Sequence, residues 1–505
     1  MMKRVERLHG MRDLLPEEGM HQRWLVDRLG QFLELAGYAR VDTPIIEQSD
    51  LFQASFGQES WQNLYAFRLH QRDLCLRPEY TASVCRLYLD HYQQQALPQR
   101  FQYAGPIFLY DAPGRGRYRQ HTQLGIELFG GHEISSDAEI LQLACDALQH
   151  LNITRYRLEL GHVGVASSFI NRLQLDNHAA RLLLSLMEQI SRSEEGERLA
   201  QQKLAALYPS PAMSEEAVDT EHSAAAATRE ERYVTSLLSG ISISFGDDDA
   251  RREVVERFLL KLERSEQRRK ILHTLEFLRE LHAVSGPPPE VFERLRALLD
   301  RYDLDPAPLE ELQQLVAIVE QCGVPSEQIE LNLALGREIS YYTGMVFEIH
   351  AQGDDGRDSQ LCGGGRYDRL MHAVGAPEDL NASGFAFRVE RLLAHIPGND
   401  LPARLATEVL VIPVSEQELP YALRVARVIR AHGVRAEVDV VGQSVSSALR
   451  LAAEREIRLA LIAGEHERAK EVITVRDLVT GEEQVVDVAT LSSQLVDKKK
   501  LREGR

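Results

Sequence analysis

The run His121-Thr122-Gln123-Leu124-Gly125-Ile126-Glu127-Leu128-Phe129-Gly130 decides how this chain is read. Its period is two, so Gln123, Gly125 and Glu127 fall on one face of a strand and Leu124 and Ile126 on the other. On the polar face, a glycine between an amide and a carboxylate predicts a hole floored by backbone, suited to a ligand amine. A half-exposed strand turning polar side chains to water would carry the same pattern, and the neighbouring segments have to decide between the two.

A second strand-like run, Arg100 to Asp111, precedes this one across Ala112-Pro113-Gly114-Arg115-Gly116-Arg117-Tyr118-Arg119, a connection too long and too basic for a hairpin turn. Further upstream, Met20, Trp24, Leu25, Leu29, Phe32 and Leu33 recur at helical spacing from Gly19 to Leu35 until Gly37 stops them. Val41-Asp42-Thr43-Pro44-Ile45-Ile46-Glu47 is β-branched and interrupted by proline, which suits an edge strand or an interface. Downstream, Ile140, Leu143, Ala144, Ala147 and Leu148 predict a helix. The stretch from about Gly164 to Gln328 is mostly helical and charged, with a flexible linker expected at 209–231 and a break at Gly286-Pro287-Pro288-Pro289. Strand character returns from Ile329 to His350 and from Ser383 to Phe387, and a helix follows from Val389 to His395. After a linker at 399–406, strands at 409–414, 436–440 and 459–463 alternate with helices at 419–432 and 444–455, which predicts a small α/β domain with a largely parallel sheet.

At 505 residues and 44% hydrophobic content, the chain has material for two to four domains. A formal charge of −18 repels a polyanion at long range, which weighs against a protein whose whole surface grips nucleic acid, though not against one with a local basic face. Cys75, Cys85, Cys145, Cys322 and Cys362 are scattered without ligand spacing, so no metal site and no disulfide framework is expected. The N-terminal residues have no apolar core of a leader, and no stretch nears the roughly 20 apolar residues of a membrane span. A cytoplasmic protein without membrane contact is expected.

Three further segments bear on the strand at Gln123: Leu76-Arg77-Pro78-Glu79-Tyr80-Thr81, Arg337-Glu338-Ile339-Ser340-Tyr341-Tyr342-Thr343-Gly344, and Gly363-Gly364-Gly365-Arg366-Tyr367-Asp368. In order and spacing these resemble the class II histidyl-tRNA synthetases, over about Leu8 to Gly164 and Ile329 to Val496. The resemblance implies an α+β catalytic domain whose antiparallel six-stranded sheet is flanked by helices. It would be built from residues 1–164 with the first two class II motifs and 329–398 with the histidine signature and the third motif. A helical insertion would occupy 165–328, and an anticodon-binding-like α/β domain 407–496. The implied reaction joins histidine to ATP as histidyl-adenylate and passes it to histidine tRNA, with ATP and Mg2+ required. A homodimer through Gly37 to Glu47 is implied as well.

The resemblance also assigns roles. Arg337 is the catalytic arginine beside the α-phosphate. Glu79 and Thr81 hold the histidine ammonium, Glu127 and Tyr341 read the two imidazole nitrogens, and Gln123 and Tyr342 complete the histidine site. Arg117, Arg119 and Arg391 meet ATP. Each arginine could equally form a surface ion pair. Arg424, Arg427, Arg430, Arg450 and Lys498-Lys499-Lys500 are candidate phosphate contacts in the C-terminal domain.

Departures from the family pattern cluster on the nucleotide side. Leu109 stands where the second motif carries an arginine, Arg388 where the third carries a glycine, and Tyr80 and Ser340 where glycine and aspartate are common. A paralogue that keeps histidine and loses adenylation would look this way. The alternative is therefore a non-catalytic, histidine-binding regulatory subunit partnered with the catalytic ATP phosphoribosyltransferase subunit of histidine biosynthesis. Leu158-Glu159-Leu160-Gly161-His162-Val163-Gly164 resembles that subunit, whereas the C-terminal domain favours the synthetase.

Overall fold

The computed structural model describes residues 5–52, 64–110, 118–174, 269–335, 341–353, 356–403 and 406–491, with the single positions 183 and 198. The chain divides into two compact units, Met1–Pro402 and Ala403–Arg505.

Helix α1 (Pro16–Leu35) starts with proline at its first turn beside Glu17 and Glu18, where a missing N–H costs nothing and acidic charge meets the helix dipole. It buries Leu25, Leu29 and Leu33 at a spacing of four, and a left-handed Gly37 turns the chain. The stretch Val41 to Glu47, expected as an edge strand or an interface, is strand only at its end, since residues 41–45 around Pro44 form a connection between two strands. β1 (Ala39–Arg40) joins the edge of the large sheet, and β2 (Ile46–Gln48) enters a three-stranded sheet with the hairpin β3 (Ala66–Leu69) and β4 (Arg72–Leu76). Helix α2 (Thr81–His91) follows.

The large sheet takes β5 (Gln99–Phe108), β6 (Gln120–Phe129), β7 (Arg157–His162), β8 (Ser285–Gly286), β9 (Ile329–Asn332), β10 (Met345–Gln352), β11 (Asp358–Arg366) and β12 (Ala382–Arg388). Among the described residues its order is β1-β5-β6-β12-β11-β10-β7-β9-β8. The expected antiparallel six-stranded sheet forms its centre, from β5 through β6, β12, β11 and β10 to β7. It is extended beyond expectation at both sides, because β1 pairs β5 and β9 pairs β7 in parallel. The sheet is therefore mixed.

Leu124, Ile126 and Leu128 of β6 lie at 1%, 0% and 1% exposure in one apolar core with α1 and α3 (Glu133–His150), each contributing roughly 1.5–3 kcal/mol by burial. After α4 (Val163–Arg172), the described helices between β7 and β9 comprise 269–282, Pro288–Tyr302 and Ala307–Gln321. Their Leu278, Leu295, Leu312 and Leu315 belong to that same core, so this part of the chain packs as a layer on the sheet. The linker expected at 209–231 lies outside the described residues.

In the second unit the sheet order is β14-β13-β15-β16-β17, formed by β13 (Val409–Pro413), β14 (Ala436–Val438), β15 (Leu459–Ala463), β16 (Val472–Asp477) and β17 (Glu483–Asp487). β14, β13 and β15 run parallel. The expectation of a largely parallel sheet is corrected at β16 and β17, which add as an antiparallel extension. Asp477 accepts from Val479 and Thr480 N–H groups, making the turn between them. No helix among the described residues is long and apolar enough to cross a membrane.

Leu312 is fully buried on the helix that packs against α3. Leu312→Ala is expected to cost the first unit about 2–5 kcal/mol. Urea unfolding followed by tryptophan fluorescence checks this, since Trp24 on α1 packs against that core. A change below about 0.5 kcal/mol, the range of an ordinary surface substitution, would mean that these helices do not share the sheet's core.

Candidate functional site

Alternation along β6 puts Leu124, Ile126 and Leu128 into the core and turns Gln123, Gly125 and Glu127 to the opposite face. Glu127 is 1% exposed. Its Oε1 accepts from the Thr81 hydroxyl at 2.8 Å and the Tyr103 hydroxyl at 3.0 Å, and its Oε2 accepts from the Tyr367 hydroxyl. An ionised carboxylate offers about four acceptor positions, so these three hydroxyls fill most of them. Gly384, opposite Glu127 in register, is required here because a Cβ would overlap Oε2.

The hole expected at Gly125 is filled from within the protein. Tyr103 pairs with Gly125 across β5 and β6, and its hydroxyl lies 2.6 Å from where a Cβ would stand. The glycine makes room for a tyrosine rather than for a ligand amine, which corrects the reading of that position. Tyr103 stacks on Tyr80 at 4.4 Å and 9°, and the Arg77 guanidinium covers the other face of Tyr80 at 3.8 Å. Arg77 is 1% exposed and donates to the carbonyls of Thr43 at 2.6 Å and Pro106 at 2.9 Å.

Glu79 and Thr81 lead into α2. The Glu79 carboxylate accepts from the Ala82 N–H at 3.0 Å, which satisfies an otherwise orphaned helix donor. Gln123 Oε1 accepts from the Tyr80 N–H at 3.1 Å. Tyr341 is buried, tilts against Tyr342 at 4.8 Å and meets Tyr367 edge-on at 5.5 Å. The structure thus gathers Glu79, Thr81, Gln123, Glu127, Tyr341 and Tyr342 around one region. Arg337 and Ser340 lie outside the described residues.

Burial dominates the electrostatics. It pushes Glu127 up to about 8, against the pull of the Tyr367, Thr81 and Tyr103 hydroxyls toward the ionised form. Burial and the nearby acids raise Tyr103, Tyr341 and Tyr367 well above the ordinary phenol, so all three remain hydroxyl donors.

On the nucleotide side of the expected site, Arg119 is buried, donates to the His9 carbonyl at 3.1 Å and lies over the Tyr110 ring at 3.8 Å. Arg391 donates to the Gln360 carbonyl at 2.8 Å. Arg388 stands opposite Gln123 in register, on the face that carries Glu127. Buried His121 is driven down to about 3 by burial and by Arg388 and Arg391, and so is neutral at pH 7. Leu109 packs against the apolar cluster of Phe52, Leu64, Cys75 and Ala82. Arg117 and Asp111 lie outside the described residues. In the second unit, Arg424 pairs with Glu471 at 2.6 Å and Arg430 donates to the Ala436 carbonyl at 2.8 Å, while Lys498 to Lys500 lie outside the described residues.

Sequence reading missed Tyr103, His121 and the role of Tyr367. Tyr103 could have been found only with the β5–β6 register, which sets it opposite Gly125.

A family profile described as histidyl-tRNA synthetase matches residues 10–242 and 235–392, and one described as anticodon binding domain matches 408–498. The chain is similar to the histidine–tRNA ligase of Pyrococcus furiosus, 28% identical over 487 residues, covering 96% of this chain and 97% of that protein. It is equally similar, at 28% over 496 residues, to that of Methanocaldococcus jannaschii, covering 98% and 100%. Among solved structures, the apo histidyl-tRNA synthetase of S. aureus aligns with a TM-score of 0.62 at 21% identity, covering 97% and 99% of the two chains. An ATP phosphoribosyltransferase regulatory subunit/histidyl-tRNA synthetase from Bacillus halodurans C aligns at 0.60 and 21%, covering 91% and 98%. At these identities the two structures establish the fold alone.

Glu127 also gives a stability test. Its folded value of about 8 lies above the ordinary 4.5. The stability it contributes is therefore complete below about pH 4.5 and is lost as pH rises through about 8. The uncharged Glu127→Gln protein lacks that loss, so wild type should lose stability relative to it across this window. Unfolding free energies at several pH values check this, and a pH-independent difference would refute the assignment.

Proposed function

This chain belongs to the histidyl-tRNA synthetase family, and from that premise we infer that it is a histidine–tRNA ligase. Histidine is activated by attack of its carboxylate on the α-phosphorus of ATP, pyrophosphate leaves, and the histidyl group passes to the 3′ end of histidine tRNA. The observation that carries the amino-acid half of this reading is the buried Glu127 carboxylate, ringed by hydroxyls beside Tyr341 and Glu79. An imidazole needs a matched donor and acceptor at its two nitrogens, and a buried acid facing a tyrosine hydroxyl supplies both. Glu79 and Thr81 take the ammonium, in a charge-assisted contact worth about 1.5–3 kcal/mol. Gln123 and Tyr342 close the pocket.

Arg337 takes the α-phosphate, and Arg117, Arg119 and Arg391 the rest of the nucleotide. Mg2+ enters on the phosphates of ATP, which suits an ion that keeps its waters and needs few protein ligands. Among the described residues no group of three or more potential metal ligands forms a cage of its own. In domain terms, residues 1–164 and 329–398 form the catalytic part, 165–328 an insertion and 407–496 the tRNA-facing part. We place the protein in the cytoplasm as a homodimer joined through Gly37 to Glu47, a segment whose Ile45 and Ile46 are 44% and 50% exposed.

One observation favours the second reading, a histidine-binding regulatory subunit of ATP phosphoribosyltransferase. Leu109 sits in an apolar cluster and brings no cation to the nucleotide. Pyrophosphate exchange separates the two. Purified protein with histidine, ATP and Mg2+ is expected to exchange labelled pyrophosphate into ATP. Histidine binding without exchange would replace the ligase with the regulatory subunit. Light scattering at micromolar concentration is expected to give twice the 57.1 kDa chain mass, and a monomer would remove the dimer.

A further inference from the structure

Tyr367 touches both halves of the pocket. Its hydroxyl donates to Glu127 Oε2, and its ring meets Tyr341 edge-on at 5.5 Å. It is 2% exposed, and its own backbone N–H donates to the Ala382 carbonyl at 2.8 Å.

The residues on either side of Tyr367 are locked. The Arg366 guanidinium, nearly fully buried, grips both oxygens of buried Asp137 on α3 at 2.7 and 3.1 Å, the Glu133 carbonyl at 2.8 Å and Asp368 at 3.0 Å. Asp368 in turn accepts from the Ala382 N–H at 2.9 Å. The Asp368 N–H donates to the Thr343 hydroxyl at 3.2 Å, and the Thr343 N–H donates to the Arg366 carbonyl at 2.9 Å. One guanidinium therefore ties α3, the end of β11 and the loop carrying Tyr341 into a single frame with Tyr367 at its centre. A planar fork with five donors is suited to this, and a lysine could not replace it.

We propose that Tyr367 is a positioning and specificity residue for histidine: clamped through Arg366 and Asp137, it fixes the Glu127 carboxylate and the Tyr341 ring at the separation an imidazole requires. Tyr367 meets the ligand's two readers and acts through both. Its hydroxyl also favours the charged form of Glu127, so its loss moves the acid's titration upward.

The proposal rests on the histidine reading of this pocket, and the experiment keeps the two apart. Histidine KM and kcat in pyrophosphate exchange, with histidine affinity by calorimetry, are measured from pH 6 to 9 for wild type, Tyr367→Phe, Glu127→Gln and the double variant. Tyr367→Phe is expected to raise histidine KM about ten-fold or more, with kcat within about three-fold and the ATP KM unchanged. That corresponds to about 1.4 kcal/mol, the size of one lost hydrogen bond. The pH midpoint of histidine affinity should move up, and the double variant should be non-additive, because the hydroxyl acts on Glu127. A lower melting temperature with unchanged KM and midpoint would make Tyr367 structural and overturn the proposal. Should Tyr367→Phe fail to fold, Asp137→Asn carries the test: a raised histidine KM supports the clamp, and an unchanged one overturns it. Wild type that binds no histidine removes the underlying reading, whereas wild type that binds with an unchanged Tyr367→Phe removes this proposal alone.

Discussion

A carboxyl group taken fully out of water must either keep its proton or have its lone pairs met, and Glu127 imposes that requirement on everything around it. Three hydroxyls answer, from Thr81 at the start of α2, Tyr103 on β5 and Tyr367 after β11. No two of these come from the same element, so the carboxylate can be satisfied only in the completed fold. Oε1 takes two of these donors and Oε2 the Tyr367 hydroxyl, so removing that hydroxyl takes the hydrogen bond from a buried acceptor, at a cost of about 1–3 kcal/mol. The glycines at 125 and 384 follow from this arrangement, since side chains there would strike Tyr103 and Glu127.

The hydroxyls are useful only if their rings cannot move, and two buried arginines hold them. Arg77 and Arg366 are 1% and 4% exposed, where an unpaired cation would be prohibitive. Each is met by fixed oxygens, carbonyls of Thr43 and Pro106 for Arg77, and Asp137, Asp368 and the Glu133 carbonyl for Arg366. Arg77 braces Tyr103 through the flat face of Tyr80, while Arg366 braces Tyr367 through the backbone. Behind the Arg366 clamp, His162 pairs with Glu311 at 2.9 Å, which joins the helix Ala307–Gln321 to the end of β7. The pocket therefore depends on the helical layer as well as on the sheet.

How much of this could be read from the sequence follows from the range of each signal. Alternation in β6 is local, so the faces of Gln123, Gly125 and Glu127 were legible, and so was the leucine spacing of α1. Strand pairing is not local. The meeting of Tyr103 with Gly125 depends on a register set across a basic loop, and the parallel additions of β1 and β9 depend on strands of two and four residues with no pattern of their own. The same limit hid β16 and β17, whose antiparallel pairing turned a sheet expected to be largely parallel into a mixed one. Arg366 and Asp137 are 229 residues apart in sequence, and nothing in either segment announces the other. Family motifs brought Glu79, Thr81, Tyr341 and Tyr342 to notice without geometry, and they drew attention to Arg391, whose guanidinium the structure places on a strand carbonyl.

The same face is electrically polarised along β6. At the Glu127 end, Glu79 and Glu127 are close enough to raise each other's tyrosine neighbours, and the surroundings are hydroxyls and rings. At the Gln123 end, burial, reinforced by Arg388 and Arg391, holds His121 neutral. The span is short, since Gln123 to Glu127 is four residues of strand, about 13 Å at the usual rise. Under the proposed function, a molecule with a cationic amine at one end and phosphate at the other would have one favourable orientation here, since reversing it would set ammonium against guanidinium. Leu109 adds no charge at either end, packed as it is among Phe52, Leu64 and Cys75. The positive charge at the Gln123 end comes from Arg388 on β12 and Arg391 in the helix Val389–Leu393, which owe nothing to position 109.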